Sequence, residues 1–147
     1  MKRCLRGLAL MMLCLFALNT TVFASNIVSP RASSYIVGTN AYITPESNGL
    51  LIVTFSISAY GEMSEIGATS VEIYEDNGHT TKRVATYNYT DPAYSFMMGK
   101  NEGIHAKDIS YNGTVGYKYY AKVYFRASNS FGGDAVTETT PVVTAKK

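Results

Sequence analysis

Between residues 117 and 129 apolar and polar positions alternate without a break. Tyr117, Tyr119, Ala121, Val123, Phe125 and Ala127 fall on one parity; Lys118, Tyr120, Lys122, Tyr124 and Arg126 fall on the other. Successive side chains of a strand point to opposite faces. The spacing therefore predicts a half-buried strand with an apolar side and a basic-aromatic side. The same period recurs from residue 51, where Leu51, Val53, Phe55, Ile57 and Ala59 oppose Thr54, Ser56 and Ser58. Val71 and Ile73 then oppose Glu72 and Tyr74. Asp76-Asn77-Gly78 predicts a tight type I′ hairpin, because Asn-Gly accepts positive φ. The return strand covers about 81–89. A first strand is expected over 34–43, ahead of the turn-forming run 45–49. The segment 94–98 reads as a short core strand with Tyr94, Phe96 and Met98 inward, and another short strand falls near 107–111. After a turn at 129–133, the last strand covers about 134–144, where Pro141 demands an edge position or a bulge. No helical period follows residue 24. Seven or eight strands separated by turn signals predict an all-β antiparallel sandwich, with a barrel as the alternative.

The ends change the picture of the domain. Lys2, Arg3 and Arg6, an apolar run over 8–18 and Val22-Phe23-Ala24 form the pattern of a signal peptide cleaved after Ala24. The run is short for a membrane span. A single domain over 25–147 is then expected, of a length that supports its own core. Cys4 and Cys14 both lie in the leader, so the domain has no disulfide to rely on. Leu13 before Cys14 argues against lipidation, and the end Thr144-Ala145-Lys146-Lys147 has no apolar tail. The expectation is a released, extracellular protein without a stable membrane anchor. Whole-chain charge is +2, but three of the 13 basic residues leave with the leader, leaving ten against eleven acidic. A net charge of −1 gives no global attraction to nucleic acid or an anionic membrane.

The stretch Tyr119-x-Ala121-x-Val123-x-Phe125-x-Ala127-x-Asn129-x-x-Gly132, followed by a Thr-rich strand, resembles strands F and G of fibronectin type III and related immunoglobulin-like domains. It departs at Ala121, where the family places its corner tyrosine, and in lacking the core tryptophan. This resemblance covers about a quarter of the mature chain and implies an immunoglobulin-like architecture without assigning an activity. The runs 66–74, 94–99 and 117–121 also resemble small secreted Gram-positive bacterial proteins of unknown function.

Candidate chemistry is sparse. His79 and His105 are the only histidines, set near Asp76 and Asp108, and they fall short of a metal-ligand pattern. No EF-hand spacing, nucleophile elbow or phosphate-cradling loop occurs. Glu62 and Glu65 read as solvated acids, and no cofactor is expected. Met97 and Met98 offer an adaptable apolar surface, against the simpler core reading. Asn88-Tyr89-Thr90 and Asn112-Gly113-Thr114 are glycosylation sequons by pattern alone.

The candidate ligand-binding residues are Lys118, Tyr120, Lys122, Tyr124 and Arg126. Tyrosine rings stack on sugars or peptide groups, and cations hold sulfates, phosphates or carboxylates. The competing account is cross-strand pairing with acids of the earlier strand, for which Glu72 and Tyr74 are the natural neighbours. The sequence therefore points to a secreted, non-catalytic recognition module for a cell-wall, glycan or protein ligand. A structural or self-associating extracellular protein is the main rival, and a small hydrolase the third.

Overall fold

The computed structural model describes residues 34–147, and the expected leader lies outside them. Among these described residues, nine strands form two antiparallel sheets, making an all-β sandwich. They are β1 (Ile36–Pro45), β2 (Leu50–Met63), β3 (Glu65–Asp76), β4 (Thr81–Asn88), β5 (Met98–Gly99), β6 (Glu102–Asn112), β7 (Lys118–Asn129), β8 (Gly132–Thr139) and β9 (Val143–Thr144). The smaller sheet has the order β1-β2-β6 and the larger β4-β3-β7-β8, with β5 added to β3 and β9 to β7.

Two central strands explain the sandwich. Leu51, Val53, Phe55 and Ile57 of β2 are buried, as are Tyr119, Ala121, Val123, Phe125 and Ala127 of β7. Phe55 and Phe125 meet edge to face across the layers, with ring centroids 6.3 Å apart. Burying one such ring contributes about 1.5–3 kcal/mol. Ile66, Ala68, Val71 and Ile73 extend the core along β3. A register shift between Ala68 and Ser70 keeps all four inward although their spacing changes from two to three.

Both outer positions of the larger sheet are broken. β4 gives way to a 3-10 turn, Pro92–Met97, before β5 takes over on β3; β8 gives way at 140–142 before β9 takes over on β7. Pro92 lies in the first break and Pro141 in the second. Proline cannot donate to a ladder, so each interruption denies a neighbouring chain a long strand to pair with. At the second break, Thr140 substitutes for the ladder: its N–H donates to the Ala121 carbonyl at 2.9 Å, and its Oγ1 accepts from the Ala121 N–H at 2.9 Å. The sandwich closes laterally through side chains. Thr39 Oγ1 donates to Glu138 at 2.6 Å on the β1–β8 side, and Tyr87 Oη donates to the Ser110 carbonyl at 3.4 Å on the β4–β6 side.

Several sequence expectations need correction. Residues 92–97 are not a strand: Asp91 accepts from the Ala93 N–H at 3.0 Å and Pro92 starts the turn, so Met97 is buried while Phe96 is 41% exposed. The β3–β4 hairpin forms, but its connection is the four-residue loop 77–80, and only Gly78 takes positive φ (88°). Asn77 Oδ1 accepts from the N–H groups of His79 and Thr80, both at 3.0 Å, which replaces the type I′ geometry with an Asx-type turn. β6 is eleven residues long rather than a short strand. The all-β sandwich itself is as expected; among the described residues its strands number nine, because the two breaks each contribute a two-residue piece.

Candidate functional site

The outer face of the larger sheet collects the five candidate residues with side chains from β3 and β4. In register, Lys118 faces Asp76, Tyr120 faces Tyr74, Lys122 faces Glu72, Tyr124 faces Ser70 and Arg126 faces Gly67. Arg83 of β4 lies opposite Tyr74, and Thr139, Thr137 and Ala135 of β8 flank Lys122, Tyr124 and Arg126. The sheet therefore presents a surface five rows long. Threonines line one flank, and Thr86 and Asn88 line the other.

Glu72 sits at the centre. Its carboxylate accepts from Tyr74 Oη at 2.8 Å, from Tyr124 Oη at 3.0 Å and from the Arg83 guanidinium. These side chains leave Glu72 only 9% exposed, although it points away from the core. Burial pushes the Glu72 carboxyl up, but the hydrogen bonds from Tyr74, Arg83 and Tyr124 and the Arg83 charge outweigh it and hold it below the ordinary carboxylate range. Donation to Glu72 raises both the Tyr74 and the Tyr124 phenol, and burial adds to it.

Tyr74 and Tyr120 stack with ring centroids 4.9 Å apart and planes 3° apart. Lys122 Nζ stands 5.2 Å from the Tyr74 centroid, a cation–π contact. Tyr74 thus has Tyr120 and Lys122 as neighbours, and its hydroxyl goes to Glu72. Arg126 approaches Glu65 at 3.8 Å, farther than a hydrogen bond. No ion pair involves Lys118 or Lys122 among the described residues.

All five sequence candidates share this face, but they are not equivalent. Tyr124 is tied into the Glu72 knot, Tyr120 and Lys122 are organised around Tyr74, and Lys118 and Arg126 mark the two ends. The earlier-strand neighbours Glu72 and Tyr74 lie where alternation implies. Sequence reasoning missed Arg83, whose role depends on the β3–β4 register. Its signal was the Lys82-Arg83 pair directly after a hairpin turn.

The other candidates lie elsewhere. His79 is exposed in the loop 77–80. His105 is buried, with Nδ1 at 2.7 Å from Glu102 Oε1 and Nε2 at 2.9 Å from the Phe96 carbonyl. This links the 3-10 turn to β6. Among the described residues no group of three or more His, Cys, Asp or Glu is arranged to hold a metal ion, and no helix is long and apolar enough to cross a membrane. With this geometry in view, the chain matches no known family model and no curated protein sequence.

Proposed function

We propose that this chain is a secreted, non-catalytic recognition module that binds an extracellular glycan or cell-wall polymer through the outer face of its larger sheet. The observation that carries the reading is the pre-organised array around Glu72, in which one carboxylate fixes two tyrosines and an arginine on an exposed, strand-built surface. Side chains already held in place lose less entropy when a ligand arrives. The hydroxyl and amide flanks from Thr86, Asn88, Thr137 and Thr139 suit a ligand rich in hydroxyl groups. A fibronectin type III-like assignment is part of the proposal. It is supported by the adjacency of β3, β7 and β8, as of strands C, F and G, and of β1, β2 and β6, as of A, B and E. The bond from the Thr114 N–H to Tyr119 Oη, 2.8 Å, resembles the tie of a corner tyrosine, made here from two positions earlier in the strand than the family pattern.

Binding of the purified protein to immobilised glycans and cell-wall polymers tests this, with a Tyr120→Ala/Lys122→Ala/Tyr124→Ala variant in parallel. The triple variant should lose at least about tenfold in affinity, as expected when central aromatic and cationic contacts are removed. Equal binding by both proteins would remove this face as the site.

A further inference from the structure

The three cations of β7 recur at every fourth residue, about 13 Å apart at the rise of a strand, yet their surroundings differ. Lys118 has Asp76 opposite it, and Lys122 has Glu72. Arg126 has no acid directly in register, with Gly67 on its β3 side and Ala135 on its β8 side, and it meets a carboxylate diagonally, Glu65 at 3.8 Å. One step further, Ser128 faces Gly133. A Cβ at Gly133 would lie 2.6 Å from the Ser128 Cβ and 2.7 Å from the Ala127 carbonyl oxygen, so close packing holds that position to glycine.

These small neighbours leave a shallow groove of about 440 Å³ on the outer face, lined by Arg126, Ser128, Gly133 and Ala135, with Asn129 and Asp134 at its hairpin end. The acidic groups nearby leave the guanidinium incompletely engaged. Glu65 is 3.8 Å away, and the Asp134 carboxylate accepts from the Tyr35 N–H at 2.8 Å. Asn129 Oδ1 accepts from the Phe131 N–H at 2.9 Å, bracing the hairpin that ends the groove. An arginine fork with open space beside it is suited to a planar or tetrahedral anion, because two parallel N–H donors match two oxygens.

Resting on the proposed glycan reading, we infer that the Arg126 groove seats an anionic group of the ligand, a carboxylate, sulfate or phosphate, and that the ligand is therefore an acidic polymer rather than a neutral one. The polymer runs along β7 from this anchor, its hydroxyls meeting the Tyr and Thr rows and its further charges passing Lys122 and Lys118.

Matched polymers isolate the charge. Binding is measured for polygalacturonate against its methyl ester, dextran sulfate against dextran, and poly(glycerol phosphate), which also separates the three anion types. The proteins are wild type, Arg126→Ala, Arg126→Lys, Ala135→Glu and, as a one-charge control, Lys147→Ala, each checked for an unchanged unfolding temperature. The expected result is binding to at least one acidic polymer and none to its uncharged counterpart. Arg126→Ala should lose about ten- to a hundredfold, the range for a charged hydrogen-bonding group. Arg126→Lys should retain part of the affinity, Ala135→Glu should abolish binding, and Lys147→Ala should change nothing. Equal binding to charged and uncharged partners, or equal losses in Arg126→Ala and Lys147→Ala, overturns this inference and leaves the face itself as the site. Failure to bind any polymer on the panel overturns the glycan reading, and the acidic-ligand inference with it.

Discussion

Glu72 and Glu75 stand three residues apart on β3 and point to opposite faces. Each gathers a tyrosine hydroxyl from β7 and a cation from β4. Outside, Glu72 holds Tyr124 and Arg83, with Tyr74 added. Inside, Glu75 accepts from Tyr119 and pairs with Lys82 at 3.2 Å. Similar groups do different work because of what lies beyond them. Tyr119 is fully buried, packs near Tyr111 and accepts with the same hydroxyl from the Thr114 N–H, so the inner knot ties the turn before β7 to the core. The outer knot lies among the half-buried and exposed side chains of the sheet's outer face. The first arrangement secures the fold, and the second fixes a surface.

The largest separation between the knots is expected from Tyr119→Phe. Removing one hydroxyl leaves the nearly buried Glu75 carboxylate and the Thr114 N–H short of a partner, which costs about 1–3 kcal/mol. Urea unfolding should show this as a lower midpoint with an unchanged slope. A loss no greater than that of Tyr124→Phe would erase the proposed division of labour.

Glu72→Gln should cost less, about 1 kcal/mol or below, since its partners can turn to water. Its ionic part should shrink in about 0.5 M salt, where the screening length is only a few ångströms. The Tyr119→Phe deficit should persist in the same buffer. Polymer binding by Glu72→Gln should weaken despite near-normal stability, because the face loses its pre-organisation; undiminished binding would show that the outer knot does not serve recognition.

Acid titration gives the smallest and most diagnostic effect. Hydrogen bonding by Tyr119 holds the Glu75 carboxyl low, against burial and with help from Lys82. Glu72 is also held low. A depressed folded value means that the folded state binds the proton less tightly. The corresponding stability is complete above the unfolded glutamate value, about 4.3, and is lost as pH falls through the lower folded values. Glu72→Gln and Glu75→Gln should each flatten that acid limb in urea midpoints measured between about pH 2 and pH 6. A limb unchanged in both variants would locate the acid sensitivity elsewhere.

How much of this was legible depended on whether a strand has ordinary neighbours. Apart from Tyr117, which precedes β7 and is exposed rather than on the buried side, β2 and β7 could be read almost residue by residue, since each is central in its sheet and alternates cleanly between core and outer face. β6 was obscured because Lys107 occupies the inward line between His105 and Ile109, opposite Phe55, yet remains exposed at a sheet edge. Such a charge interrupts the apolar period while discouraging edge pairing. Residues 94–98 misled in the other direction. Tyr94, Phe96 and Met98 alternate by coincidence, whereas Asp91-Pro92 carried the turn signal that prevailed. Of the candidate site, the β7 residues and their acidic neighbour were readable from parity alone. Arg83 and the groove beside Arg126 were not.

By itself, the sequence determined that the chain would form strands, which side of each central strand would be buried, and that five basic and aromatic residues would share one face. Those properties follow from a two-residue period and from the cost of leaving apolar side chains in water. Tertiary structure alone decided that Glu72 would be surrounded by three donors, that Glu75 would meet Tyr119, and that Arg126 would stand between residues too small to cover it. Each of these depends on cross-strand register, and a register is set by the whole sandwich closing over one core.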